Sequence, residues 1–303
     1  LGALGRTLPA RQTTWALLGL MVVAAAVLMP GLLRGLKLYR YVWLLGGLLL
    51  AGLTLVVGED VTGSGTRLWI SVGPWNVQPS EALKVLVVAF LASYLDERRE
   101  LLAAASLRLG RLRLPPLPYL LPLLLMWALS LAVLVLQEDL GAAVLFFAIF
   151  LVMLFMATGR ASYVLLGILL FAAGASVAYL AFDHVQVRVA VWLNPWQDSA
   201  GRGYQAVQAL AALAAGGVFG VGLGYGHPGY IPAVHTDLAL AALGEEIGLA
   251  GLLAIGMLYL VLVLRGIHIA LRTADAFHAL LAAGLSLALG IQIARISQCL
   301  LQA

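Results

Sequence analysis

The stretch GYIPAVHTDLALAALGEEIG, Gly229–Gly248, places three carboxylates in or beside an otherwise apolar run. Asp237 stands next to His235 and Thr236 where the run begins, and Glu245 and Glu246 lie inside it. Ionisable groups at membrane depth are expensive and point to function by default. A carboxylate at the head of a helix is held ionised by the helix N-terminus, so Asp237 is suited to take a proton from a hydroxyl as a general base. The competing reading is a plain helix cap, supplied by Thr236 or Asp237. Glu245 follows about two turns later and lies deeper on a nearby face, whereas Glu246 points nearly opposite Asp237. Both glutamates read as partners of buried polar groups or of Lys84, or as cavity lining. His235 either orients the site or is simply hydrogen-bonded.

Other candidates sit elsewhere. In NVQPSEALK, Pro79–Ser80 reads as a helix start with Ser80 as N-cap. Glu81 and Lys84 then become i, i+3 neighbours on one face, either a packing ion pair or part of a site. Trp69 and Trp75 suit an aromatic belt at the membrane interface. In LQEDLGAAV, Asp139 caps the next helix or takes part in chemistry. Gly220, Gly222 and Gly224 suggest a nucleotide-binding turn only superficially, because no strand precedes them. Their segment reads instead as non-helical backbone lining a cavity.

The elements that position these groups are membrane spans. Of 303 residues, 63% are hydrophobic and only 11% charged, with a mean hydropathy of +1.01. Apolar runs long enough to cross a bilayer fall at roughly 14–33, 38–57, 81–96, 117–136, 140–157, 162–182, 238–264 and 276–297. The third is short and carries Glu81 and Lys84. The fold class is therefore an all-α polytopic membrane protein, a helical bundle of about eight spans forming one integral-membrane domain over 1–303. Segments 58–80 and 183–236 form outer loops that line the site. Within the second, Tyr204–Ala215 is apolar enough for a half-buried helix.

Arg34, Lys37, Arg40, Arg98, Arg99, Arg108, Arg111, Arg113, Arg160, Arg265 and Arg272 fall on one side of this topology. The positive-inside rule makes that side cytoplasmic, which puts Asp139 and Asp237 outside. The basic segment 96–116 reads as an amphipathic loop on anionic lipid. These charges are spread over four loops, which argues against nucleic-acid binding. Cys299 is the sole cysteine, so no intrachain disulfide forms, and no Cys/His spacing fits zinc.

GYQAVQALAALAAGGVFGVGLGYG followed by IPAVHTDLALAALGEEIGLAG resembles the SEDS family, the RodA/FtsW peptidoglycan polymerases. NVQPSEALK resembles that family's QPSE-x-x-K element, TRLWI its x-W-I element and QEDLGAA its P-D-x-G-T turn. The chain departs from the pattern at Glu138, where Pro is expected, at Ala209, where Ser is expected, and at Leu238-Ala239-Leu240, where the family is Phe-rich. The family's C-terminal Ser-Tyr-Gly-Gly-Ser element and its first helix have no counterpart. About eight spans against ten suggest a chain trimmed at both ends.

The resemblance implies glycosyl transfer: lipid II joined into glycan strands outside the cytoplasmic membrane, for elongation or division. A diphosphate leaving group needs cations rather than an acid, so one base suffices where a glycosidase needs two carboxyls. Asp237 is the implied base. Lys84, Glu81, Trp69, Arg202, Gln205, Asp139, His235 and Glu245 are implied substrate contacts, with Lys84 and Arg202 preferred over Arg67 and Arg188 for the diphosphate. No cofactor is required, although a divalent cation, Mg or Mn, could assist the diphosphate. The implied partners are lipid II, membrane lipids and a class B penicillin-binding protein, and no nucleic acid. The rivals are a lipid II flippase and a non-catalytic scaffold for a transpeptidase.

Overall fold

The computed structural model describes residues 4–60, 67–73, 75–104, 107–109, 112–114, 117–137, 139–201, 203–231 and 238–301. It is helical almost throughout: α1 Leu4–Leu28, α2 Pro30–Leu38, α3 Arg40–Val57, α4 Pro79–Ala104, α5 Leu117–Leu136, α6 Leu140–Thr158, α7 Ala161–Ala181, α8 Asp183–Leu193, α9 Tyr204–Gly216, α10 Ala239–Arg272 and α11 Ala276–Leu301. Every expected span but the first coincides with one helix, the run 14–33 being divided between α1 and α2, and the half-buried helix expected over 204–215 is α9. Among the described residues five helices are long and apolar enough to cross a membrane: Arg40–Val57, Gly141–Thr158, Ala161–Ala181, Ala239–Arg272 and Ala276–Ala294. The pair α1–α2 reaches that standard only jointly, bent by 90°. Pro30 starts α2 at the bend, where its missing N–H costs no helical bond. The chain is a multi-pass membrane protein of all-α class.

Three elements differ from expectation. The segment after α7, expected as a loop, opens with the helix α8. The segment after α3 holds a hairpin, β1 Ile70–Val72 with β2 Trp75–Val77. The basic segment 96–116 is not one loop: α4 continues to Ala104, and an antiparallel pair follows, β3 Leu107–Leu109 and β4 Leu112–Leu114, whose register sets Arg108 opposite Arg113.

The residues gather into two compact units, Leu1–Arg99 with Leu117–Phe147 and Glu100–Pro116 with Ala148–Ala303. In the first, α4 is buried on every face from Val87 to Leu95, as an all-round apolar helix should be. Its end is fastened to the α2–α3 turn. Arg40 donates to the Ser93 carbonyl and hydroxyl, both at 3.2 Å, and pairs with Glu97, while Lys37 pairs with Asp96 at 2.6 Å. The Arg40 hydrogen bond holds the Glu97 carboxyl below its ordinary pKa. A second fastening is the buried amide of Gln137, which donates to the Ala51 carbonyl and the Thr54 hydroxyl, both at 2.7 Å, tying the end of α5 to α3.

In the second unit α9, α10 and α11 pack together. Gly216 and Gly244 let α9 and α10 meet backbone to backbone, since a Cβ on Gly216 would stand 2.8 Å from the Glu245 Cα. Small residues at such crossings are how membrane helices gain close contact.

Candidate active site

Helix α10 is broken. At Gly248 the backbone turns to φ 69°, ψ −176°, a conformation open essentially to glycine alone. A break inside a membrane span frees carbonyls before it and amides after it, and hydrocarbon offers them no partner. The glycine-rich chain after α9 supplies those partners. Val221 N donates to the Glu245 carbonyl at 2.9 Å and Gly222 N to the Glu246 carbonyl at 3.0 Å. In return Leu249 N donates to the Gly217 carbonyl and Ala250 N to the Val218 carbonyl, both at 3.0 Å. Gly220, at φ 82°, closes the approach: a Cβ there would stand 2.5 Å from the Glu246 carbonyl carbon. The Gly220-Val221-Gly222 run is thus a backbone plug for a broken helix. The stretch 217–226 is non-helical, as expected, and the physical reason is this pairing.

Glu245 is 7% exposed. Its carboxylate accepts from the His227 backbone N–H at 3.1 Å, and the His227 ring Nδ1 lies 3.8 Å from the same oxygen. Neither contact was legible beforehand, because His227 is a lone histidine distant in sequence. Lys84, a suggested partner of the glutamates, pairs with Glu81. Beyond His227, Ile231 is buried with Leu238, Ala209, Ala212 and Ala241 in one small apolar cluster.

Asp237 and His235 lie outside the described residues, as does Arg202. The residue after Asp237 is described: Leu238 occupies the N-cap position of α10, and its side chain caps nothing. The cap expected from Thr236 or Asp237 lies outside the described residues. Gln205 is exposed in the first turn of α9.

In the other unit, Lys84 is 6% exposed and its ammonium lies 2.5 Å from Glu81 Oε1, while the Glu81 side chain is 52% exposed. The buried member of the pair is the lysine, so removing Lys84 leaves an exposed acid and removing Glu81 strands a buried cation. Stranding a buried charge costs more than replacing it by an apolar side chain of similar volume. Glu81→Ala should therefore lower the thermal midpoint more than Lys84→Met, measured on purified protein in detergent; the reverse order would deny the pair its structural role. Ser80 is not the expected N-cap. The helix already starts at Pro79, and the Ser80 hydroxyl is buried inside the first turn, unpartnered among the described residues.

Asp139 caps α6, accepting from Ala142 N at 2.9 Å, the first of the two roles its position suggested. Trp69 bridges its backbone to Glu59, which also accepts from the Ser71 hydroxyl at 2.5 Å. Trp75 packs edge-on against Trp15, with ring centroids 5.7 Å apart. Among the described residues no three His, Cys, Asp or Glu side chains gather closely enough to hold a metal ion.

Residues 4–297 match the family described as Cell cycle protein, FtsW/RodA/SpoVE. The chain is 42% identical over 284 residues to a Mycobacterium tuberculosis protein named peptidoglycan glycosyltransferase RodA, covering 93% of this chain and 61% of that one. It is 34% identical over 284 residues to a Geobacter metallireducens protein named probable peptidoglycan glycosyltransferase FtsW, covering 93% and 72%. The chain thus spans about three-fifths of the length of its mycobacterial relatives, 61%. Among solved structures, a chain from one described as "Structural coordination of polymerization and crosslinking by a peptidoglycan synthase complex" superposes with a TM-score of 0.73 at 27% identity, covering 97% of this chain and 79% of that one. The crystal structure of Thermus thermophilus rod shape determining protein RodA gives a TM-score of 0.58 at 25% identity, covering 95% and 74%.

Proposed function

Because this chain belongs to the FtsW/RodA/SpoVE family of cell cycle proteins, we propose that it is a peptidoglycan glycosyltransferase polymerising lipid II at the outer face of the cytoplasmic membrane. The observation that carries the reading is the match to proteins named for this activity over 93% of the chain. The higher identity to the protein named RodA favours a role in elongation over division.

The chemistry follows from few groups. Asp237 removes the proton from an acceptor sugar hydroxyl, whose oxygen attacks the anomeric carbon of the donor. The bond to the lipid diphosphate breaks, and the diphosphate leaves with the electron pair. Lys84 and Arg202 stabilise that charge, as fixed cations do at a departing phosphate. Gln205, Trp69, His235 and Asp139 contribute substrate contacts. A divalent cation, Mg or Mn, would share the diphosphate charge; none is required by this scheme. A class B penicillin-binding protein is the proposed partner, in keeping with the similar structure described as a synthase complex.

Purified full-length protein given lipid II, without an energy source or a membrane gradient, should yield glycan polymer on a gel. Lipid II translocation without polymer would favour the flippase, and neither activity would favour a scaffold. Orientation has its own test. In a Cys299→Ser background, an impermeant thiol reagent added outside cells should label Asp198→Cys and miss Arg108→Cys. The opposite pattern would invert the topology and remove the proposed site from the outer face.

A further inference from the structure

Glu245 is a buried acid for which the scheme above has no chemical task. It contributes twice to the same region: its carbonyl accepts from Val221 N, and its carboxylate accepts from His227 N. Between those points the chain is seated on the two glutamates. A Cβ on Gly226 would stand 2.9 Å from Glu246 Cγ and 3.3 Å from Glu245 Oε2, closer than side-chain carbons pack. Past His227 the chain makes a single 3₁₀ turn, Pro228–Tyr230, with Tyr230 N donating to the His227 carbonyl at 3.1 Å. It then buries Ile231 beside Leu238. The two residues that flank 232–237 thus rest in one apolar cluster on α9 and α10, and Glu245 is the polar tie that brings the first of them there.

We propose that Glu245 is a positioning residue for glycosyl transfer: it clamps Val221–Ile231 onto the first half of α10 and so holds the residues that lead into the stretch containing Asp237. The inference rests on the glycosyltransferase reading above. The clamp acts on the backbone amide of His227, not on its ring, because the ring nitrogen lies at 3.8 Å, beyond hydrogen-bond length, and the side chain is 73% exposed. A clamp of this kind bears on kcat. A base displaced by about 1 Å loses rate on the order of 10²-fold, whereas a residue that only held substrate would act on KM.

The test uses full-length protein in detergent and two readouts, lipid II polymerisation and amide hydrogen exchange over 221–231. Glu245→Ala should speed exchange in that stretch and lower kcat about 10- to 100-fold, with KM for lipid II changed little. Glu245→Gln keeps a carbonyl oxygen for the His227 amide and should recover most of both. Should Glu245→Ala fail to fold, Gly226→Ala reports the same thing without emptying a buried site: its methyl lifts the loop from the glutamates and should reproduce the faster exchange and lower kcat. Parent-like kcat in both alanine variants overturns the proposal, as does a rise in KM alone or a Gln variant no better than Ala. A parent protein that makes no glycan overturns the glycosyltransferase reading and the positioning role with it. Exchange then still reads whether the clamp exists, so the two failures are told apart.

Discussion

Asp237→Asn should abolish glycan polymerisation while leaving membrane insertion and thermal stability close to those of the parent protein. Asn has nearly the same shape and is as good a helix cap as Asp, so a purely capping residue would tolerate the change. What Asn cannot do is accept the acceptor sugar's proton. Loss of a general base costs about 10²–10⁴-fold, which would empty the polymer ladder on a gel of lipid II products. A parent-like ladder from the Asn variant would show that the carboxylate removes no proton.

The largest stability effect should come from Gly248→Ala. A methyl group there would lie 2.5 Å from the Val218 carbonyl oxygen and 2.6 Å from the Phe219 carbonyl carbon, and the residue would have to hold φ 69°. The backbone neighbours cannot step aside without breaking the four hydrogen bonds that bridge the interruption, each leaving a group unpaired in hydrocarbon. A loss in the exceptional range, above about 4–5 kcal/mol, is expected, seen as little folded protein in detergent or a collapsed thermal midpoint. Gly256→Ala in the same helix is the control. A Cβ there meets nothing within 4 Å, so that variant should fold as well as the parent or slightly better, by up to about 1 kcal/mol of helix propensity. Equal behaviour of the two variants would mean that the break at Gly248 is not what the native chain adopts.

The helices were legible because hydropathy reports them directly. The run read at 117–136 is α5 residue for residue, and the run at 38–57 is α3 to within two positions. Local side-chain geometry was legible too. The i, i+3 spacing of Glu81 and Lys84 is enough to bring their charges together, and Asp139 before an apolar run is enough for a cap. What sequence could not convey is pairing at a distance. Gly248 sits between Ile247 and Leu249 in a run that reads as continuous helix, because glycine is common in membrane helices and its broken conformation depends on Val218 and Gly220. The hydrogen bonds of Gln137 to α3 and of Glu245 to His227 escaped for the same reason. Ser80 misled because Ser is a strong cap; Pro79 had already started the helix.

The plugged interruption of α10 also constrains how the protein can be made. Synthesis delivers the chain from its N-terminus, so the glycine stretch after α9 emerges before the residues that will satisfy it. Until Glu245, Glu246, Leu249 and Ala250 arrive, its amides and carbonyls have only water as a partner, and lipid would reject them. α9 and its glycine tail must therefore wait at the aqueous boundary and enter the membrane together with α10. Insertion of this part of the chain is a single concerted event, and a ribosome stalled between the two helices would hold an intermediate with the glycine stretch still outside the lipid.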